Sequence, residues 1–261
     1  MPTIPPYATL FDVVLRLARE VLITRSGVAT GGSTTTLEDT SFPFTPGIFK
    51  GGTVFNLVNK EFSRITQQSD TRLTFPAMTI TVAGNLYTVA GDDFPLDVLV
   101  SALNTTMRDL IIPDEDETLS VVSGQDEYIL PANVSQLYKV EIAISAAVPY
   151  NYQEHFHWDE ANGCLRFPMA YQPAAAGVPI RLTFRKVHTD LVNHDDAIPD
   201  GVNLDYLLWA AAENVAKYGL KVFGADTKRD FPSKIQEYEV RRQRAATAQV
   251  RLQRSPRLAD W

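Results

Sequence analysis

Segments of two incompatible periodicities alternate along this chain, and that alternation constrains its fold more than composition does. A surface helix repeats its apolar residues every three or four positions, whereas a half-buried strand repeats them every second position. Residues 6–24 follow the helical rule. Leu10, Val13, Val14, Leu17 and Val21 share one face, while Asp12, Arg16, Arg19 and Glu20 mostly fall elsewhere. Thr9 is placed to cap this helix and Ser26-Gly27 to end it. In residues 28–90 the character changes. Ser33, Thr34, Thr35 and Thr36 crowd together, Gly pairs stand at 31–32 and 51–52, and segments 53–58, 71–75 and 86–89 carry the β-branched and aromatic residues of strands. The Gly pairs supply positive φ in turns or permit close chain approach. This segment predicts a small β-sandwich or barrel.

The alternation then repeats. Asp92 or Asp93 caps a second helix with Pro95 in its first turn, running through Leu96, Leu99, Val100, Leu103, Met107 and Leu110 and stopping at Pro113. Residues 118–187 read as a second β region. It holds a hairpin turn at 159–163 and its clearest alternating strand at 180–185. Asn203 caps a third helix whose face carries Leu204, Leu207, Leu208, Ala211, Ala212, Val215 and Tyr218, and Gly224 breaks it. The last helix, about 231–253, has sparse apolar residues, so it is frayed or held by a partner. The expected fold is α+β: a helical bundle with two inserted antiparallel β regions and a long C-terminal helical arm. Its parts are the N-terminal helix of the helical body (1–27), a first β domain (28–90), a helix of the body (91–114), a second β region (115–190), a further body helix (200–224) and a basic arm (225–261). Leu204, Leu208, Ala211, Ala212 and Val215 are the residues expected to pack the helical body.

Charge divides the chain in two. Residues 225–261 carry nine Lys or Arg against five Asp or Glu, while the first 224 residues carry fifteen against twenty-six. Arg241, Arg242, Arg244, Arg251, Arg254 and Arg257 follow one another with no acid between Val240 and Ala259, and Trp261 ends the segment. A basic helix on an acidic body seeks an acidic surface, on nucleic acid or on a protein. Arg and Trp are also the side chains that most often dominate protein interfaces. One cysteine, Cys164, leaves no disulfide framework, and no apolar run approaches the roughly 20 residues needed to span a bilayer. A soluble product of a reducing compartment, without membrane contact, is expected.

Chemistry-bearing motifs are weak. His155 and His157 share a strand face near Asp159 and Cys164, but this set has no established metal-ligand spacing, and ordinary hairpin surface is the preferred reading. Asp114-Glu115-Asp116-Glu117 lacks the alternating ligands and the Gly of a calcium loop and reads as a solvated connector. Gly31-Gly32-Ser33-Thr34 has no Lys and no following helix, so it is not a phosphate loop. Tyr150, Tyr152, Phe156 and Trp158 form either a sugar-stacking face or the core and rim of a hairpin. No catalytic set, no metal site and no cofactor are expected, and the chain reads as a non-enzyme.

In their order, several short segments resemble neck proteins of tailed bacteriophages, the head-to-tail adaptors beneath the portal. These are residues 29–40 (Ala-Thr-Gly-Gly-Ser-Thr-Thr-Thr-Leu-Glu-Asp-Thr), Gly51-Gly52-Thr53-Val54-Phe55, 128–134 (Tyr-Ile-Leu-Pro-Ala-Asn-Val) and Ile198-Pro199-Asp200-Gly201-Val202, then the Ala-rich helix and the charged final helix. The resemblance implies a virion structural protein made in the host cytoplasm. It would form a homo-oligomeric ring, usually a dodecamer, under the portal protein and above a downstream tail or nozzle protein. Genomic DNA would pass through its lumen without specific binding. Carried onto this chain, Arg241, Arg242, Arg244, Arg251, Arg254, Arg257 and Trp261 would form the portal-docking arm. Both β regions are larger than a minimal helical adaptor requires. Two alternatives stay open: a carbohydrate- or receptor-binding virion module, and a DNA-binding head-completion protein.

Overall fold

The computed structural model describes residues 8–79, 81–110, 113–131, 134–145, 148–152, 156–159, 162–167, 176–186, 188–199, 201–224 and 230–253. Four helices and fifteen strands in four antiparallel sheets make up these residues. Helix and strand hold nearly equal numbers of residues, so the expected helical bundle with inserted β regions and a long arm is not the architecture. The chain divides into two compact units, residues 1–109 with 190–252, and residues 110–189 with 253–261.

In the first unit, α1 (Leu10–Val21) starts where the Asp12 carboxylate accepts the Thr9 N–H at 3.0 Å. Residues 193–198 close over its first turn, with the N–H groups of Leu10 and Phe11 donating to the carbonyls of Asp196 and His194. The helix ends earlier than Ser26-Gly27. Leu22 is already extended, and Ser26-Gly27 lies inside β1 (Thr24–Val28), which pairs with β8 (Leu86–Ala90). Between them run β2 (Gly31–Gly32), β3 (Thr36–Glu38), β4 (Thr53–Asn56), β5 (Glu61–Arg64), β6 (Gln67–Gln68) and β7 (Arg72–Thr74). They form two sheets, ordered β1-β8-β4-β5 and β2-β3-β7-β6. Leu37 and Leu73 of one sheet and Val54, Tyr87 and Val89 of the other share one core.

All four residues of β4 are buried, which shows that its sheet is covered on both faces. The second sheet covers one. On the other, Phe11 of α1 meets Phe55 edge-on at 6.0 Å and stacks on Phe62 at 6.3 Å, and Arg19 donates to Thr88 at 3.2 Å. This is the physical reason the helices do not form a free-standing bundle: α1 spends its apolar face on a sheet as well as on other helices. Those are α2 (Leu96–Asp109) and α3 (Leu204–Phe223), the latter capped by the Asn203 side chain, which accepts the Tyr206 N–H at 2.8 Å. Ala211, Ala212 and Val215 are fully buried, Leu208 nearly so, and Leu204 is half-buried. Tyr218, expected on the buried face, is 43% exposed. The last helix, α4 (Phe231–Gln253), buries Phe231 and Tyr238 and so is not a free arm.

The chain leaves this unit at Asp109 and returns at Asp190, where Arg108 pairs with Asp190. Asn104 then holds the returning segment by its backbone, accepting the Leu191 N–H at 2.9 Å and donating to the Leu191 carbonyl at 3.0 Å.

The second unit contains β9 (Pro113–Ser120), β10 (Glu127–Ile129), β11 (Val134–Ser145), β12 (Val148–Tyr152), β13 (His157–Asp159), β14 (Cys164–Arg166) and β15 (Pro179–Lys186). They form two sheets, ordered β12-β11-β15-β9 and β10-β14-β13. Tyr128, Leu130, Val140, Leu165, Phe167, Ile180, Leu182 and Phe184 fill the core between them. The acidic run at 114–117 is part of edge strand β9 rather than a connector. Arg181 on the neighbouring strand reaches Glu117 at 2.7 Å and Glu115 at 3.8 Å. Carboxylates along an unpaired strand edge discourage pairing with another chain.

Candidate partner-docking site

Three of the six arginines have side chains among the described residues. Arg241 and Arg242 are engaged within the chain, Arg244 is exposed, and the side chain of Arg251 together with Arg254, Arg257 and Trp261 lies outside the described residues. The site therefore has to be built from α4 and the body it touches.

Asp230, at φ 41°, turns the chain into α4, and its carboxylate accepts the Ser233 N–H at 3.4 Å. Phe231 then enters an aromatic socket. It lies 6.0 Å from Phe94 and stacks on Phe223 at 6.2 Å with an interplanar angle of 18°. Gly219 of α3 floors the socket: a Cβ there would stand 2.6 Å from the Phe231 ring. Two turns further on, Tyr238 stacks on Trp209 at 6.1 Å and donates from its hydroxyl to the Glu20 carbonyl at 3.4 Å. Burial, with Glu20 and Glu237 nearby, pushes the Tyr238 hydroxyl up to about 12.

The charged contacts come next. Arg241 lies over the Trp209 ring, 4.5 Å from its centroid, and pairs with Glu20 at 3.5 Å and with Glu237 on its own helix. Arg242 Nε donates to the Glu213 carboxylate at 2.7 Å, and Lys217 Nζ reaches the same carboxylate at 2.5 Å. Glu213 is only 5% exposed. Burial alone would raise its carboxyl, but hydrogen bonds from Lys217 and Arg242 outweigh that and hold it below the ordinary value. The Arg242 guanidinium is raised in turn, chiefly by the Glu213 hydrogen bond.

Magnitudes rank these attachments. Seven α1 side chains are buried, against two among the described residues of α4. At about 2 kcal/mol for each buried large side chain, Phe231 and Tyr238 together contribute about 4 kcal/mol before ordering costs. Arg244 is exposed and has no ion-pair partner among the described residues. It closes a shallow cleft of about 420 Å³ with Ser233, Gln236, Glu237, Val240 and Arg241. The exposed cationic fork of Arg244 beside Val240 is suited to a carboxylate-bearing protein surface.

The other sequence candidates separate cleanly. His155 lies outside the described residues. His157, Asp159 and Cys164 lie on adjacent strands β13 and β14, but the register sets Arg166 opposite both His157 and Glu127, and Arg166 bonds Glu127 at 2.9 Å. A guanidinium in that row disfavours a bound cation. Among the described residues no group of three or more His, Cys, Asp or Glu side chains is arranged to hold a metal ion. Phe156 packs against the core of the second unit, and the side chains of Tyr150, Tyr152 and Trp158 lie outside the described residues. No described helix is long and apolar enough to cross a membrane.

Trp209, Glu213, Glu20 and Gly219 were not singled out from the sequence. Glu213 did carry a signal, an acid in an Ala-rich helix with Lys217 one turn later. Compared with known proteins, the chain matches no family model and no curated protein.

Proposed function

We propose that this chain is a structural protein of a tailed-phage virion, a head-to-tail adaptor that assembles as a ring beneath the portal and extends the DNA channel. The observation that carries the reading is the order of the short segments at 29–40, 51–55, 128–134 and 198–202 followed by the Ala-rich and basic helices. The charge partition supports it. An acidic body would repel phosphate and let DNA slide, whereas many Lys and Arg contacts would grip it in a salt-dependent way. The exposed Arg244, with Arg251, Arg254, Arg257 and Trp261 beyond it, supplies the contact to an acidic groove on the portal protein. A head-to-tail contact between subunits that closes on itself makes the ring.

The test is electron microscopy of the chain mixed with the portal protein of the same virus, beside a variant with Arg244, Arg251, Arg254 and Arg257 all changed to Glu. Truncation after Gly224 is a poorer control, because it also removes Phe231 and Tyr238 from the body. A ring on the portal with the native chain, lost with the variant, is expected. A monomer that ignores the portal in both forms overturns the reading. Duplex binding that weakens steeply with salt would point instead to a head-completion protein.

A further inference from the structure

We propose that α4 is a hinged strap: its first turn is fixed in the Phe231 socket, and from Tyr238 outward it lifts from α1 and α3 while the body stays folded. The pivot is built for retention. Phe231 touches Phe94 and Phe223, and Gly219 lets the ring approach α3 more closely than any other residue would permit. Beyond Tyr238 the attachments are side-chain tips. Ala245 and Ala246 are small and half-buried, and Glu239, Val240, Gln243, Arg244 and Thr247 are exposed.

The clamp holds a second partner in reserve for its charged groups. When Arg242 leaves, the buried Glu213 carboxylate keeps Lys217 at 2.5 Å. When Arg241 leaves Glu20, it carries Glu237 with it on the same helix. Glu20, about a third exposed, turns to water. Breaking an ion pair is costly mainly when it strands a buried charge. Here lifting strands none, so opening costs the contacts of Tyr238 and Arg241 with Trp209 and Glu20 and the Arg242–Glu213 pair, without the added penalty of an unpaired buried charge. Regions with few buried apolar contacts open well below the free energy of global unfolding. An acidic partner surface would then exchange its carboxylates for Glu20 and Glu213 and take over Arg241 and Arg242. The hinge itself does not depend on the identity of that partner.

Peptide-resolved hydrogen exchange on the full chain tests this. Amides at 238–247 should exchange at least about tenfold faster than those of α3 at 207–220. Arg242→Ala should add roughly tenfold more, confined to α4. Lys217→Met is the discriminating variant. With Lys217 gone, lifting α4 would strand the Glu213 carboxylate, so α4 should exchange more slowly while α1–α3 are unchanged. A common exchange rate for α3 and α4 would overturn the hinge, as would equal acceleration of α1–α3 by Arg242→Ala. Faster α4 exchange in Lys217→Met would overturn the reserve-partner account. If Lys217→Met fails to fold, the native ratio and Arg242→Ala decide.

Discussion

A methyl group at Gly52 has no room: its Cβ would stand 2.1 Å from the Ala90 carbonyl oxygen and 2.9 Å from the Gly91 backbone. Its neighbour Gly51 has space but sits at φ 91°. The pair thus divides between two residues the two uses that a Gly-Gly dipeptide leaves open, which residue spacing alone could not assign. Gly52→Ala should destabilise by about 3 kcal/mol, because backbone has to move. Gly51→Ala should cost about 1–2 kcal/mol for its left-handed conformation. Urea titration of the two variants gives the ranking. Glu213 sets a second prediction. Its folded carboxyl lies below the ordinary value, so the stability it lends is fully present above about pH 4.5 and is lost as pH falls through the lowered value. Glu213→Gln should cost about 2 kcal/mol at pH 7 and flatten the loss of stability as pH falls below about 4.5. Asp12, Asp39 and Asp196, each also held low, keep their own acid dependence. An unchanged acid limb in Glu213→Gln would remove Glu213 from the account.

Among the elements, those with strong periodicity were legible and those whose role depends on neighbours were not. The apolar face of α1 can be read from Leu10, Val13, Val14 and Leu17, all buried. Its end cannot, because Thr24 to Val28 extend in order to pair with β8, far along the chain. α4 is the opposite case. Its composition promises a loose arm, yet a Phe, a Tyr and two arginines find partners on α1, on α3 and at Phe94 before α2 that no local pattern reveals. The acidic run at 114–117 reads as a solvated connector until β15 lies beside it, since its carboxylates occupy an edge strand against Arg181. That placement predicts a protective role. Changing Asp114, Glu115 and Glu117 to Thr would leave a β-prone edge with Asp116 as the one acid of the run and should raise self-association at neutral pH. Light scattering across a concentration series measures it, and a variant as monodisperse as the native chain would refute the role.

At the scale of the whole molecule, residues 110–189 form an insertion with its own two-sheet core, while residues 1–109 and 190–252 make up the other compact unit, whose two sheets enclose a core of their own. The Arg108–Asp190 pair and the Asn104 clasp on Leu191 bring the two ends of the break together on unit 1. Neither contact draws on a residue of the insertion. Among the described residues, the core that joins Val54 and Val89 to Leu37 and Leu73 is drawn from residues 29–89. Two separate cores behave as two cooperative units when neither buries the other's apolar surface. Excision of residues 110–189, with Asp109 joined to Asp190 by a short Gly-Ser linker, should leave unit 1 folded. It should keep a cooperative urea transition and the fluorescence of a Trp209 shielded by Tyr238 and Arg241. Under the adaptor reading, the excised chain should also still bind the portal protein, because Arg244, Arg251, Arg254 and Arg257 remain. Loss of the cooperative transition would show that the insertion is integral to the body. A folded body that no longer binds the portal would move the docking surface from the basic segment to the inserted sheets.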